Sequence, residues 1–325
     1  MRTAVILLLV ISLSVTACQN QSVSSQSEKN TAAQNNKTTV SSSTSENLQV
    51  GDFEFFPNFY SKENSIIHHG FTAKKVLVNK KYDNDSPIAE IYDVILQRGG
   101  KKLLTFEGEY YPLGNEMGFG LLSFLGNEEK QLIISDISYK SGRSWIVNLS
   151  KNPRILFDSG EYGGFREFID INDYDADGTY EITLSKYVTC DFDSLATAEM
   201  PLISFVFKYK KGKNKFLPAN HKFQNLAKSK INEEISEGRN ANKKLEFRNV
   251  LEIFLEYIYA DMEKEAWEFF DENYLDTLTI RNSNFNGIRE TANPIEDKKK
   301  ARKSIENFLN KDSIYLAIKK DLTDK

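Results

Sequence analysis

A short acidic segment holds the residue types in this sequence that are best suited to chemistry. Asp173, Asp175, Asp177 and Glu181 stand at positions 1, 3, 5 and 9 of residues 173–181, and Gly178 stands at position 6. A hard cation such as Ca²⁺ takes about six to eight oxygen ligands, and alternate carboxylates on a tight turn can point inward together. Carboxylates held this close repel one another strongly unless a cation lies among them. The segment therefore predicts a structural calcium site that fixes a hairpin.

The flanking sequence distinguishes this segment from an EF-hand. Position 12 is Leu184, where an EF-hand has a bidentate glutamate, and strand-like sequence at residues 168–171 and 182–184 flanks the loop. This strand–loop–strand arrangement resembles the calcium loops of FG-GAP and VCBS-type repeats in β-propeller proteins. The resemblance implies the metal ligands Asp173, Asp175, Asp177, Thr179 (through its backbone carbonyl) and Glu181. The alternative is a solvated acidic hairpin turn.

The first residues of the chain predict where the protein is located in the cell. Arg2 precedes an apolar run over residues 4–15, which is too short for a membrane-spanning helix of about 20 residues but has the length of a signal-peptide core. The run ends in Val15-Thr16-Ala17-Cys18, which resembles a bacterial lipobox. The resemblance implies cleavage before Cys18, acylation of Cys18 and lipid anchoring in the cell envelope, at the outer membrane if the cell is Gram-negative. The alternatives are an ordinary secretory signal or a short buried strand.

Composition divides the chain into four parts. Residues 1–17 are predicted to be a lipoprotein signal peptide. In residues 19–47, 21 of 29 residues are Ser, Thr, Asn or Gln, which predicts that residues 18–50 form a disordered tether behind the lipidated cysteine. Residues 51–220 carry short strand patterns separated by turns, and residues 221–325 carry helical patterns. We therefore expect an α+β protein, with a β-propeller-like or stacked antiparallel β domain followed by a small α-helical domain.

Within the β part, two hairpins and a weak repeat are recognisable. The runs 91–96 and 103–106 flank a Gly-Gly turn, and the runs 203–209 and 215–217 flank a lysine-rich turn, so each pair predicts a hairpin. Residues 122–134 parallel residues 168–184 as strand, polar turn and strand, at an offset of 46 residues. That offset is close to the size of a four-stranded propeller blade. The earlier copy lacks the acidic ligand set, so we expect no calcium there.

In the helical part, apolar residues recur at helical spacing. Phe247, Val250, Leu251, Phe254 and Ile258 predict one helix. Asp261 is a plausible cap for a second helix through Trp267 and Phe270. The segment Asn293-Pro294-Ile295-Glu296 predicts the start of a third helix, which would include Ile305, Phe308, Leu309, Ile314 and Ile318.

The other residues that could take part in chemistry are better explained by structural or surface roles. His68 and His69 are adjacent and would point to opposite faces of a strand. Cys190 has acidic neighbours that disfavour a thiolate, so a buried small side chain is the preferred interpretation. The lysines of residues 208–215 predict either a charged sheet edge or a contact with anionic lipid or glycan.

Composition and the absence of several sequence motifs argue against some classes of function for this chain. With 42 Lys and Arg against 46 Asp and Glu, the net charge is −4, which disfavours a general nucleic-acid partner. The sequence has no Gly-x-Ser-x-Gly, Gly-x-Gly-x-x-Gly, Walker A or His-Glu-x-x-His motif, so no catalytic or organic-cofactor residues are predicted. We expect a membrane-anchored, calcium-binding scaffold that binds a protein or glycan partner without catalysis. The alternative is an envelope hydrolase, or an inhibitor of one, with its site between the β and helical parts.

Overall fold

The fold is described here from a computed structural model. It covers residues 64–81, 85–110, 115–127, 129–137, 142–165, 167–190, 200–240, 245–274, 279–282, 291–294 and 297–324. The predicted signal peptide, Cys18 and the predicted tether of residues 18–50 lie outside these residues.

Three four-stranded antiparallel sheets follow one another along the chain, and within each sheet neighbouring strands are consecutive in sequence. The first sheet contains β1 (Ser65–His68), β2 (Phe71–Lys80), β3 (Ala89–Arg98) and β4 (Lys101–Phe106). The second contains β5 (Glu116–Leu122), β6 (Gln131–Ile137), β7 (Arg143–Asn148) and β8 (Arg154–Asp158). The third contains β9 (Glu167–Asn172), β10 (Glu181–Tyr187), β11 (Leu202–Lys210) and β12 (Lys215–Pro218).

The described residues after the sheets contain five α-helices and one small hairpin. The helices are α1 (Gln224–Asn240), α2 (Phe247–Tyr259), α3 (Glu263–Asn273), α4 (Lys298–Leu309) and α5 (Ser313–Thr323). Strands β13 (Thr279–Asn282) and β14 (Thr291–Pro294) pair between α3 and α4. The expected α+β class is therefore confirmed, while the described residues form no closed barrel or propeller. None of the described helices is both long and apolar enough to span a membrane.

Both predicted hairpins are present, and their turns explain why. Gly99 and Gly100 join β3 to β4 with φ angles of 55° and 78°, which glycine adopts without steric cost. The turn from β11 to β12 is a single 3-10 turn over Lys211–Lys213, closed by Asn214 in the left-handed conformation. Asparagine tolerates that conformation better than most residues, because its short polar side chain bonds locally.

Two large hydrophobic clusters join the sheets to one another and to the helices. The first and second sheets are joined through residues such as Phe106 and Trp145, whose ring centroids lie 5.4 Å apart. The second and third sheets pack with α2–α5 in a larger cluster, in which Phe205 of β11 meets Tyr259 of α2 edge to face at 4.7 Å. The second and third sheets therefore share a core with the helices, and the described residues from 64 to 324 form a single compact unit. The predicted boundary at residue 220 falls between β12 and α1.

Two helix starts differ from the sequence-based predictions. Asp261 is not a cap, because it has a φ of 58° and α3 begins at Glu263. Residues 291–294, with the predicted start at Asn293-Pro294, form β14 instead. The helix begins after Asp297, whose carboxylate accepts the N–H of Lys300 at 3.0 Å. A proline favours extended backbone at the residue before it, and extended backbone suits a strand.

The single predicted C-terminal helix is in fact two helices. Helix α4 ends at Leu309, and α5 begins after Asp312, whose carboxylate accepts the N–H of Tyr315 at 2.8 Å. The apolar residues of both helices still face one core, since Ile305, Leu309, Ile314 and Ile318 all belong to the larger cluster.

The repeat is present at a different offset from the one predicted. Strand β6 begins at Gln131 and β10 at Glu181, 50 residues later, rather than at an offset of 46. The turns before these two strands touch each other, because the N–H of Tyr180 donates to the carbonyl of Phe124 at 2.9 Å. The acidic loop is thus supported by the corresponding turn of the neighbouring sheet.

Candidate functional site

The acidic loop joins β9 to β10 and is closed by its own side chains. The two carboxylate oxygens of Asp173 accept the N–H groups of Asp177 at 3.0 Å and Gly178 at 2.9 Å. Asp177 Oδ1 accepts the N–H of Thr179 at 2.8 Å. Ala176 and Gly178 have φ angles of 55° and 82°, and these two left-handed residues give the loop its sharp bend. The carboxylates are therefore held in place by the backbone that they bond.

The loop brings the predicted aspartate ligands together. Asp173, Asp175 and Asp177 each offer a carboxylate oxygen, and these atoms all lie within 4.8 Å of one another. Thr179 lies in the same loop. Glu181 begins β10, and its side chain is fully buried. Its Oε2 accepts the N–H of Tyr174 at 2.9 Å, so this carboxylate also fixes the start of the loop.

A lysine outside the predicted ligand set lies among these carboxylates. Lys208 on β11 places its Nζ 2.9 Å from Asp175 Oδ2, 2.7 Å from Asp177 Oδ2 and 2.7 Å from Glu181 Oε1. An ammonium can satisfy three acceptors, and here it has three carboxylates. The ammonium of Lys208 therefore relieves part of the mutual repulsion that was expected among these carboxylates.

The electrostatics of the loop follow from burial and from Lys208. The hydrogen bond from Lys208 lowers the pKa of Asp177, whereas burial raises the pKa of Glu181. Burial opposes the charge on Lys208, but the hydrogen bonds to Asp177, Glu181 and Asp175 outweigh it and raise the pKa of the lysine. The loop is thus charged at neutral pH.

One ammonium leaves most of the loop's negative charge uncompensated. When all are ionised, the acids Asp173, Asp175, Asp177 and Glu181 carry one charge each, and among the described residues Lys208 supplies one positive charge in return. The side chains of Asp175 and Asp177 are 42% and 45% exposed, so solvent reaches the oxygens opposite the buried Glu181. This geometry allows a small cation to enter from the solvent side and compete with the ammonium.

No family model, curated protein or solved structure matches the chain. The likeness of the loop to FG-GAP and VCBS calcium loops remains a prediction from residues 168–184.

A cleft opens beside the acidic loop, between the third sheet and α1. Its inner chamber has a volume of about 160 Å³ and its outer chamber about 440 Å³. Tyr174 of the acidic loop, Phe223 and Leu226 line both chambers. The hydroxyl of Tyr174 lies 3.1 Å from Thr183 Oγ1, and its ring meets that of Phe223 at 5.8 Å. One wall of the cleft therefore belongs to the acidic loop.

The inner chamber has an ion pair at one end. Lys230 of α1 lies 2.6 Å from Glu256 Oε1 of α2, and both residues line the chamber. The same oxygen accepts the N–H of Ser204 at 3.5 Å. Glu252 and Glu234 lie 3.5 Å and 3.9 Å from the ammonium. Three carboxylates therefore surround the ammonium of Lys230.

Glu234 should make the protein less stable in mild alkali. Burial and then the charge of Glu252 raise its pKa from 4.5 to about 8, so the folded state binds a proton there that the unfolded state releases above about pH 5. Stability from this group therefore falls as the pH rises from about 4.5 to 8. We expect Glu234→Gln, an uncharged isostere, to raise the free energy of unfolding by about 2 kcal/mol at pH 8 and to change it little at pH 4.5.

Urea denaturation at the two pH values measures this effect. The matched control is Glu233→Gln, because Glu233 is exposed on the same helix. Equal stabilisation by Glu234→Gln at both pH values would contradict the assigned proton.

The lysine-rich hairpin is mostly bound to the body of the protein. Lys210 pairs with Asp321 of α5, and Lys215 lies 2.6 Å from Glu161. Lys222 Nζ also lies 3.3 Å from Asp321 Oδ2. Burial opposes its ionisation, but Lys210 and Lys222 lower the pKa of Asp321 to about 2. Strand β11 is interior to its sheet, so the predicted role as a charged sheet edge is wrong for Lys208 and Lys210.

His68, His69 and Cys190 are not among the residues that line the described cleft. His68 ends β1, and His69 follows in a turn with a φ of 47°. Their ring centroids are 4.0 Å apart. Cys190 is fully buried, as the preferred interpretation predicted. Of the three histidines, His221 lines the outer chamber, where its Nε2 lies 3.2 Å from Asp321 Oδ2.

Proposed function

We propose that this chain is a lipid-anchored binding protein of the bacterial cell envelope. Cys18 carries the acyl anchor after removal of residues 1–17, and residues 18–50 tether the folded body. The anchor is in the outer membrane if the cell is Gram-negative. The body is a propeller-like stack of three antiparallel sheets closed by helices, and its role is interaction with a protein or glycan rather than catalysis. Support comes from the lipobox resemblance and from a folded body with a cleft.

We also propose that Asp173, Asp175, Asp177, Thr179 and Glu181 bind a structural calcium ion. The observation that carries this proposal is the convergence of carboxylate oxygens on one point, where Lys208 already places a positive charge. Calcium would supply two charges in place of one and would accept more oxygens than an ammonium can satisfy. Ion binding therefore requires the ammonium of Lys208 to move aside.

Calcium titration of the thermal unfolding temperature tests this proposal. We expect calcium to raise the melting temperature of the full chain, because an ion that binds only the folded state stabilises it by about 2.7 kcal/mol at 100 times its Kd. Asp175→Asn should abolish most of that rise. Asp175 is the suitable target because its described bonds go to Lys208, whereas Asp173 and Asp177 hold the loop backbone.

The control is Glu233→Gln, an exposed charge change outside the loop. Its response to calcium should equal that of the native chain. An unchanged melting temperature of the native chain in millimolar calcium would overturn the calcium proposal and leave an acidic turn neutralised by Lys208.

A hydrolase is the second candidate, because the cleft contains a buried acid with a raised pKa. Burial raises the pKa of Glu256, as is common for catalytic acids. Glycoside hydrolysis, however, needs two carboxyl groups that flank the bond. In the described inner chamber Glu256 is the one lining carboxyl group, and it is held by Lys230. Release of reducing ends from oligosaccharides, lost in Glu256→Gln, would establish the enzyme instead.

A further inference from the structure

We propose that the cleft between the third sheet and α1 binds a glycan, with one sugar ring in the inner chamber. This inference deepens the proposed binding function by naming the ligand class and the residues that meet it. The ring would lie against Tyr174 and Phe223, with hydroxyl groups on Glu256, Lys230 and Ser204. Further sugar units would extend into the outer chamber.

The polar end of the inner chamber offers a donor and an acceptor side by side. Glu256 is 3% exposed. Its described hydrogen bonds come from Lys230 and from the N–H of Ser204, and both go to Oε1. Oε2 is therefore left for a ligand hydroxyl. The hydroxyl of Ser204, which also lines the chamber, can donate to a ligand hydroxyl and accept from one.

A hydroxyl group fits this end better than a charged group does. A hydroxyl both donates and accepts, so one can donate to Glu256 while accepting from Lys230, which lie 2.6 Å apart. A ligand carboxylate or phosphate would be repelled by Glu256 and the nearby Glu252, and a ligand ammonium has no acceptor for the N–H groups of Lys230. The ion pair therefore selects neutral polyhydroxylated ligands.

The remaining walls suit the apolar face of a sugar ring. The apolar and aromatic residues that line the inner chamber are Tyr174, Val206, Phe223, Leu226 and Ala227. A pyranose presents C–H groups on its faces and hydroxyls around its edge, so it can lie on aromatic rings while its edge meets polar groups. Leu226 remains 40% exposed, which leaves apolar surface at the mouth for a ligand to cover.

The size of each chamber fits this arrangement. A cavity of about 150 Å³ holds one benzene ring, so the inner chamber of about 160 Å³ accommodates one six-membered ring. The outer chamber of about 440 Å³ shares Tyr174, Phe223 and Leu226 with it. It adds the polar side chains of Lys222, Gln224 and Asn225, so it has room and hydrogen-bonding groups for further units.

Calorimetric titration of the full chain in detergent tests the proposal. The probes are maltotriose, cellotriose and chitotriose, with spermidine and glycerol 3-phosphate as charged comparisons. We expect at least one trisaccharide to bind and neither charged probe to do so. Ala227→Leu should fill the inner chamber and weaken that binding at least about tenfold, or about 1.4 kcal/mol. Ser229→Leu, at an exposed position on the same helix, should bind like the native chain.

A second variant guards against misfolding of the first. Ser204→Ala removes one hydroxyl without adding volume and should weaken trisaccharide binding severalfold at an unchanged melting temperature. Binding that is equal in Ala227→Leu, Ser204→Ala and the native chain would place the sugar elsewhere and overturn the proposal. Binding of spermidine or glycerol 3-phosphate instead would overturn the ligand class.

The calcium response separates this inference from the function proposed above. If no trisaccharide binds while calcium still raises the melting temperature, the glycan site fails and the calcium-stabilised scaffold stands. If a trisaccharide binds in the cleft and calcium has no effect, the glycan site stands and the calcium site fails.

Discussion

Replacing Lys208 by methionine should make the folded state depend on calcium. The substitution removes the positive charge that the described residues place among Asp175, Asp177 and Glu181, and it takes from the fully buried Glu181 its described ion-pair partner. Breaking a buried ion pair from one side costs about 3–5 kcal/mol. Because Asp175 and Asp177 are exposed and screened by water, we expect about 2–3 kcal/mol in chelator at pH 7. Urea denaturation measures this loss.

Calcium should restore the lost stability and bind more tightly than to the native chain. In the native chain a calcium ion would have to displace the ammonium of Lys208, whereas in Lys208→Met no ammonium would compete for Asp175, Asp177 and Glu181. Lys211→Met is the matched control, since Lys211 is exposed in the adjacent turn and should leave stability and calcium binding unchanged. A Lys208→Met chain as stable as the native one in chelator would contradict the ion-pair assignment. Equal destabilisation with and without calcium would show that the lysine acts alone.

The sheet hairpins were predictable because their signals are local. Alternating apolar residues set the period of a strand, and Gly99-Gly100 can adopt the left-handed angles that the turn requires. The acidic loop was predictable for the same reason, because its carboxylates and Gly178 lie within nine consecutive residues.

Lys208 was not predictable, because its place depends on a long connection. Residues 188–201 separate β10 from β11, so the sequence does not fix the register that pairs Thr183 with Val206. That register carries Lys208 to the start of β10, next to Glu181. Within β11 the pattern does show Phe205 and Phe207 buried on one face. Alternation along the strand puts Lys208 on the opposite face, but it does not indicate which residues Lys208 meets there.

The cleft was also not predictable from local sequence patterns, because α1 is mostly polar in sequence. Its described buried residues are Ala227 and Ile231, too few to give a clear helical period. The cleft arises only when this helix lies beside β11 and brings Lys230 to Glu256, which stands on the next helix.

Replacing Gly126 by alanine should be the most disruptive small change near the acidic loop. Gly126 has a φ of 67°, and a Cβ there would overlap the carbonyl oxygen of Gly178. An L-residue in the left-handed region costs about 1–2 kcal/mol. The overlap also forces two backbone segments apart, so we expect a loss of about 3 kcal/mol or more in the free energy of unfolding. Because Gly178 donates its N–H to Asp173, calcium affinity should fall as well.

Gly100→Ala separates the two contributions, because Gly100 has a φ of 78° and no atom within 4 Å of a Cβ. It should show only the backbone penalty of about 1–2 kcal/mol and an unchanged calcium response. Urea denaturation of both variants, with calcium and with chelator, provides the comparison. If Gly126→Ala lost no more stability than Gly100→Ala, the two turns would not be in contact, and the acidic loop would depend on its own hydrogen bonds and Lys208 alone.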